Sequence, residues 1–379
     1  MHEFRLPGVI HFGWGAVEKV GEEAARLGRR ALLVTGRTAM KRTGAADRLR
    51  TVLSDAGVES VLFDQVESDP SGTTIDRGGK TAREEGCDLV VGLGGGSPMD
   101  AARAIAGMAV LDGSIIDYLR GKPIDRPGLP LINIATTAGT ASEITPFSVV
   151  LDEERKLKMG LKSPYWFSRV AVTDPELTMT MPPALTAATG LDALTHAIES
   201  YISTGATPPS EGLSLRAVAL IGANLRSAFA DGNNRAAREG MAMGSMVAGM
   251  AFANSGLGLV HGLVHPIGAR FGRPHGEVCG RLLPCVLRYN ATAVPEKVAQ
   301  AGAALTGKHG IGADEAVEAV VSLLRDVQVP AGIGDLGIPD DRVPELARDG
   351  LLAGAVKTNP RAVSEEDARA LLQEAKKAQ

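Results

Sequence analysis

Short apolar runs alternate with amphipathic segments through the first 180 residues of the chain. Runs of strand length recur as GVIHFG (8–13), ALLVTG (31–36), SVLFDQV (60–66), DLVVGL (88–93), LPLINIAT (129–136) and RVAVTD (169–174). Helical patterns at 43–56 and 72–86 separate the earlier runs. Strands that alternate with helices of this length are typical of βαβ units. Residues 1–180 are therefore predicted to form an α/β domain with a parallel sheet.

The pattern of apolar residues changes near residue 180, where the strand-like runs stop. Beyond this point the spacing of apolar residues predicts helices at 184–203, 209–230, 234–253, 256–270, 312–326, 341–354 and 364–377. Two domains are also what a chain of 379 residues favours. We therefore predict that residues 181–379 form a second, all-helical domain.

Composition and charge argue against several classes of protein. A net charge of -4 and a pI near 6.0 give no basic surface for nucleic acid. Three cysteines without CxxC spacing indicate neither a disulfide framework nor a thiolate zinc site, and the N-terminus lacks the pattern of a secretory signal. A cytoplasmic protein is expected. The charge-free stretch Met241–Val260 has the length of a membrane span, but its glycine, alanine and serine content favours a buried helix.

Histidines are concentrated in two short segments of the second half. His261, His265 and His275 are three of the seven histidines in the chain, and His261 and His265 are one helical turn apart. Asp192 and His196 have the same i, i+4 spacing. One carboxylate oxygen with several imidazoles and no thiolate suits a divalent transition metal. The alternative is a set of hydrogen-bonded core histidines.

A glycine-rich turn follows the apolar run at 88–93. In GLGGGSPMDAARAIAG, Gly94 to Gly96 precede Ser97, a natural N-cap, and Pro98, which suits the first helical position. Such a turn lets a phosphate approach the backbone at a helix N-terminus, as a dinucleotide site requires. The spacing is not GxGxxG, and a tight strand-to-helix corner is the alternative. The hydroxyl-rich TTAGTASEIT (136–145) after the next strand also suits a cofactor at the sheet edge.

Four segments resemble the iron-containing (group III) alcohol dehydrogenases, a family that includes lactaldehyde reductase and propanediol dehydrogenases. They are GGGSPMD, TTAGTASEIT, MPPALTAATGLDALTHAIESYIS, and GLGLVHGLVHPIG with the PHG that follows it. The resemblance implies an α/β domain that binds NAD or NADP and a helical metal-binding domain, the architecture shared with dehydroquinate synthase. It also implies hydride transfer between the nicotinamide and a small alcohol or aldehyde, and a homodimer formed partly through the N-terminal strand.

The resemblance further assigns individual residues. The implied metal ligands are Asp192, His196, His261 and His275. His265 corresponds to a histidine near the substrate and is a candidate proton relay, while Phe252 corresponds to an aromatic wall of the pocket. Iron follows from the family, whereas the ligand chemistry equally admits zinc. Positions that match the lining of the dinucleotide site are Gly95, Gly96, Ser97, Asp100, Thr136, Thr137, Thr140, Thr145 and Lys158.

Three positions depart from the family pattern. Gly36, followed by Arg37, stands where NAD-preferring relatives often carry an aspartate for the adenosine ribose, so NADP is expected to be accepted as well. Asp69 replaces an asparagine of some relatives, and Phe147 replaces a polar pocket residue. Two other readings stay open: a metal-independent reductase of the maleylacetate type, and a lyase resembling dehydroquinate synthase. The complete ligand set argues against the first, and the scarcity of Lys and Arg on the histidine-bearing segments argues against the second.

Overall fold

The computed structural model describes residues 3–378, which divide into two compact units. The first, which we call the α/β unit, comprises Leu6–Thr137 and Ala141–Thr180. The second, which we call the helical unit, comprises the chain from Met181 onward together with residues 3–5 and Ala138–Thr140. The hydroxyl-rich segment TTAGTASEIT therefore contributes to both units.

The α/β unit is built on a parallel sheet, as the alternating pattern predicted. Six strands lie in the order β1-β8-β5-β4-β2-β3, and all neighbouring pairs are parallel. A separate antiparallel hairpin, β6-β7, lies outside the six predicted strands, and the half-exposed sequence of β7, LKMGLK, lacks the apolar run of a buried strand. The strands are β1 (Val9–Phe12), β2 (Arg30–Gly36), β3 (Glu59–Val66), β4 (Leu89–Gly94), β5 (Leu131–Ala135), β6 (Phe147–Asp152), β7 (Leu157–Lys162) and β8 (Val170–Thr173).

Helices cover both faces of this sheet, which explains the nearly continuous apolar runs of its central strands. Successive residues of β2 point to opposite faces: Leu32 and Val34 belong to one buried cluster, and Ala31 and Leu33 to the other. The helices are α1 (Lys19–Leu27), α2 (Ala39–Arg42), α3 (Ala45–Asp55), α4 (Gly72–Glu84), α5 (Gly96–Met108) and α6 (Ile115–Leu119). The first cluster packs against α4, α5 and α6, and the second packs against α1 and α3.

The helical unit contains nine α-helices within the described residues. They are α7 (Pro183–Ile202), α8 (Pro208–Ala230), α9 (Arg235–Ser255), α10 (Leu259–Phe271), α11 (His275–Ala291), α12 (Pro295–Thr306), α13 (Ala313–Asp326), α14 (Val343–Leu351) and α15 (Glu365–Lys377). Seven were predicted. The sequence pattern missed α12 and also α11, which carries Pro284 in its interior, where a missing N–H normally ends a helix.

The charge-free stretch Met241–Val260 is divided between two helices rather than forming one buried helix. Gly256, with φ of 77°, ends α9, and α10 begins three residues later. Across residues 3–378, no single helix is long and apolar enough to cross a membrane. The pair α9 and α10 meets that test only together, across a bend of 106°.

Candidate metal centre and cofactor edge

Three helices of the helical unit bring one carboxylate and three imidazoles together. Asp192 and His196 lie one turn apart on α7, His261 lies on α10, and His275 is the first residue of α11. The Nε2 atoms of the histidines are 3.9 Å (His196), 3.8 Å (His261) and 3.7 Å (His275) from Oδ1 of Asp192. Each of the three histidines therefore faces Oδ1 of Asp192.

The donor set fits a divalent transition metal. Oδ1 of Asp192 is buried, and no residue between 3 and 378 donates a hydrogen bond to it. A buried polar atom without a partner is costly, and a cation would satisfy it. Ligand atoms ~2.0–2.3 Å from one ion in a tetrahedron lie roughly 3.3–3.8 Å apart, close to the separations observed here. The geometry therefore favours a metal centre over a set of core histidines.

A cysteine also reaches this point, which the sequence analysis did not anticipate. One donor atom each from Asp192, His261, His275 and Cys279 lies within 4.8 Å of every other atom of the set. Cys279 follows His275 by one turn of α11, and its Sγ is 4.0 Å from Nε2 of His261. The sequence indicated no sulfur donor at this site, because the missed helix α11 is what brings the thiol to the histidines.

Glu199 is a further residue that sequence reasoning missed. Its Oε2 accepts a hydrogen bond from Nδ1 of His261 at 2.7 Å, and its two oxygens accept the backbone N–H groups of Gly258 (3.0 Å) and Val260 (2.7 Å) at the start of α10. Because Glu199 accepts the Nδ1–H of His261, Nε2 is the ring nitrogen that remains for a metal ion. A signal was available, since Glu199 lies three residues after His196 on the same face of α7.

Two glycines of α11 allow it to approach α7 closely. A Cβ at Gly276 would lie 2.2 Å from the carbonyl oxygen of Ala188 and 2.9 Å from Cβ of Asp192, and one at Gly280 would lie 2.7 Å from Leu191. The backbone of α11 therefore lies against the Ala188 carbonyl at Gly276 and against the Leu191 side chain at Gly280. The glycine of the PHG motif therefore sets the distance between His275 and Asp192.

The candidate proton relay and the aromatic wall lie beside the ligands. The ring of His265, half-buried on α10, is 5.3 Å from that of His275. Phe252 is buried and stacks on His196 with ring centroids 4.4 Å apart. Their roles toward a substrate stay predictions.

Two of the predicted ligands, Asp192 and His196, already have the protonation states that metal ligands require. Burial alone would raise the pKa of Asp192, but the three surrounding imidazoles lower it below its ordinary range. Burial lowers the pKa of His196 to about 3, and burial raises the pKa of the Cys279 thiol to about 12. At neutral pH, Asp192 is ionised and His196 is neutral, so neither needs to lose a proton before it binds a cation.

In the α/β unit, the predicted cofactor residues gather at the carboxyl edge of the sheet. Strands β5, β4, β2 and β3 are neighbours, and Thr136 and Thr137, Gly95 to Ser97, Gly36 and Asp69 lie at or just beyond their respective ends. The Oγ1 of Thr137 is shielded and finds no partner within residues 3–378, and it lies 3.5 Å from the position of a Cβ at Gly95. An unsatisfied hydroxyl beside a glycine turn fits a dinucleotide phosphate.

The helix that follows the glycine turn begins earlier than predicted. The helix α5 begins at Gly96 with Gly95 as its N-cap, so Ser97 and Pro98 lie inside the first turn. Ser97 does not cap the helix, because its Oγ donates a hydrogen bond to the carbonyl oxygen of Ser68. The first N–H groups of α5 start closer to the strand than the sequence suggested.

Several other predicted cofactor residues already have protein partners. Asp100 accepts hydrogen bonds from the backbone N–H of Val149 (2.9 Å), from Arg103 (3.2 Å) and from Ser142. Lys158, on β7, forms an ion pair with Asp69 at 2.7 Å. Thr145 is buried in the α/β unit, whereas Thr140 belongs to the helical unit. Contact of these side chains with a dinucleotide stays a prediction.

Arg37, the basic residue after Gly36, is held by its own unit. Its Nε donates to the carbonyl oxygen of Gln65 at 3.2 Å, and its guanidinium lies 3.6 Å from Glu67. Gly36 itself does not require glycine: its φ is not in the left-handed region, and a Cβ would make ordinary contacts of 3.6 Å with Pro98 and 3.8 Å with Val66.

Comparison with known proteins assigns both units to one enzyme class. The family model "Iron-containing alcohol dehydrogenase" matches residues 7–175, and "Fe-containing alcohol dehydrogenase family, C-terminal" matches residues 186–376. The chain therefore belongs to the iron-containing alcohol dehydrogenases, which confirms the predicted family, fold class and oxidoreductase activity on alcohols and aldehydes.

Individual relatives agree over almost the full length. The chain is 40% identical to a 1,3-propanediol dehydrogenase from Klebsiella pneumoniae, with 99% of each chain covered. It is 39% identical to a lactaldehyde reductase from Escherichia coli (strain K12), with 94% of each covered. Its fold is similar to the crystal structure of sulfoacetaldehyde reductase from Bifidobacterium kashiwanohense in complex with NAD+, with a TM-score of 0.91, 30% identity, and coverage of 100% of this chain and 99% of that one.

Proposed function

We propose that this chain interconverts small primary alcohols or diols and their aldehydes, with a divalent metal held by Asp192, His196, His261 and His275. The observation that carries the proposal is the convergence of three imidazole nitrogens on the unsatisfied, buried oxygen of Asp192. The relatives named for 1,3-propanediol, lactaldehyde and sulfoacetaldehyde support substrates of two or three carbons, whereas a relative of 37% identity is named for long-chain alcohols.

Two bound groups supply the chemistry, and the chain positions them. The metal ion, which Asp192, His196, His261 and His275 would hold, would supply a Lewis acid for the substrate oxygen, and the nicotinamide would supply or accept the hydride. Glu199 fixes the ring of His261 so that Nε2 faces Asp192. Phe252, stacked on His196, offers an apolar surface that excludes water from the ligands.

His265 is the residue proposed to carry the hydroxyl proton. Its imidazole is half-buried next to His275, so it is close to the ligands while retaining a route to solvent. Histidine is the side-chain type that most often transfers protons near neutral pH. The overall reaction balances as alcohol plus NAD(P)+ giving aldehyde, NAD(P)H and one proton.

A pair of histidine variants tests the proposal. His275→Ala should lose bound metal and activity but still bind NAD(P), because all the predicted cofactor residues except Thr140 lie in the α/β unit. His265→Asn should keep its metal and lose ~10²–10⁴-fold in kcat, the usual contribution of general acid–base catalysis. The exposed His309→Ala is the control and should resemble the parent.

The assays are metal analysis of anaerobically purified protein and NAD(P)H oxidation with short aldehydes, including lactaldehyde and 3-hydroxypropanal. Stoichiometric metal in His275→Ala would disprove the ligand assignment. Absence of net NAD(P)H oxidation with every aldehyde would favour a lyase. The proposed homodimer is tested separately by light scattering, where a monomeric mass would exclude it.

A further inference from the structure

Cys279 differs from an ordinary buried cysteine in what its sulfur faces. Cys285, on the same helix, donates its S–H to the carbonyl oxygen of Leu282 at 3.1 Å, a contact within α11. The Sγ of Cys279 instead faces Nε2 of His261 at 4.0 Å, and the side chain is fully buried. The nitrogen it faces is one of those that surround Asp192.

The four atoms within 4.8 Å of one another include this sulfur and do not include a nitrogen of His196. Oδ1 of Asp192, buried and without a donor within residues 3–378, points into the same space. Two overlapping ligand sets thus share Asp192, His261 and His275. They differ only in the fourth donor, which is an imidazole in one set and a thiol in the other.

We infer that Cys279 is an alternative fourth ligand, which takes the place of His196 when the bound ion prefers sulfur. The inference rests on the proposed metal centre. Thiolate favours zinc and cobalt more strongly than it favours iron, whereas imidazole serves all three ions. On binding, the S–H bond breaks, the sulfur–metal bond forms, and the proton passes to solvent. The metal preference of this chain is accordingly set by a residue outside the Asp–His set.

Cobalt substitution provides a direct readout. Protein loaded with one Co²⁺ per chain should show an intense near-ultraviolet sulfur-to-cobalt charge-transfer band. The band should persist in the double variant Cys87→Ala/Cys285→Ala, which keeps Cys279 as its single cysteine, and in His196→Ala. It should disappear in Cys279→Ala and in Cys279→Ser. The parent and the double variant decide the question even if a substitution at position 279 prevents folding.

Affinities measured by chelator competition provide the second readout. Substitution of a residue that hydrogen-bonds to a metal ligand typically lowers metal affinity by roughly 10–100-fold. Loss of a direct ligand should therefore lower the affinity at least about tenfold. Cys279→Ala should lose this factor for Zn²⁺ and Co²⁺ but not for anaerobic Fe²⁺, and His196→Ala should show the reverse. Stoichiometric cobalt without the band would overturn the role of Cys279 and leave the metal centre intact. Failure of the parent to bind any cobalt would overturn both.

Discussion

Gly36 offers the sharpest test of how this chain selects its cofactor. It ends β2, next to the glycine turn that ends β4, where the adenosine ribose is expected to lie. An aspartate at this position would accept a hydrogen bond from the 2′-hydroxyl of NAD and repel the 2′-phosphate of NADP. The structure accommodates Gly36→Asp, because φ is ordinary and the new Cβ has no neighbour closer than 3.6 Å.

The expected size of the effect follows from the charges and their exposure. Two unit charges ~4 Å apart repel by ~4 kcal/mol at an effective dielectric of 20. Position 36 is half-buried, so solvent reduces this considerably. A remaining penalty of ~1.4 kcal/mol corresponds to a tenfold increase in KM for NADP. Arg37 offsets little of it, because its guanidinium already lies 3.6 Å from Glu67.

The measurement is the ratio of kcat/KM for NADP to that for NAD, compared among the parent, Gly36→Asp and Gly36→Asn. Asparagine has the same shape without the charge, so it separates repulsion from bulk. The aspartate should lower the ratio at least about tenfold, and the effect should shrink with added salt. An unchanged ratio in a folded variant would place the ribose elsewhere, and an equal loss with asparagine would point to steric exclusion.

Three further predictions concern the site and the α/β unit. Glu199→Gln removes the negative charge that accepts the Nδ1–H of His261 and should weaken metal binding by roughly 10–100-fold. Metal affinity is measured by chelator competition, with Glu211→Gln on α8 as the control. Equal affinities of the parent and Glu199→Gln would refute the role of Glu199 in orienting His261. Gly276→Ala places a Cβ 2.2 Å from the carbonyl of Ala188, so metal content should fall, whereas Gly212→Ala, a helical position with nothing within 4 Å, should keep its metal. Glu143 is buried with one oxygen unpartnered, and burial raises its pKa to about 7 from 4.5. The parent should therefore lose about 3 kcal/mol relative to Glu143→Gln as pH rises from below 4.5 to above 7, measured by denaturant unfolding, and a pH-independent difference would contradict this.

The sequence predicted the parts of the fold that depend on local periodicity. The strands β2, β4 and β5 are buried on both faces, so their apolar runs are long and unbroken. The strand β7 is half-exposed and carries two lysines, and therefore resembles a turn. Its pairing with β6 is a contact between strands that no local sequence pattern predicts. The misplaced start of α5 has the same origin. Ser97 is a residue type that favours the N-cap, but its hydroxyl donates a hydrogen bond to the carbonyl oxygen of Ser68.

The candidate site shows the same difference between local spacing, which the sequence displays, and tertiary contacts, which it does not. Asp192 with His196, and His261 with His265, are pairs within single helices, so their spacing alone indicated a shared face. Cys279 has that same i, i+4 relation to His275, but the relation exists only if His275 begins a helix. Because α11 was not predicted, the spacing of Cys279 and His275 carried no structural meaning in the sequence. One unrecognised helix thus concealed the sulfur donor that we propose. When a candidate ligand histidine follows a proline, as His275 follows Pro274, a helix that begins at the histidine should be considered even if a second proline lies further along.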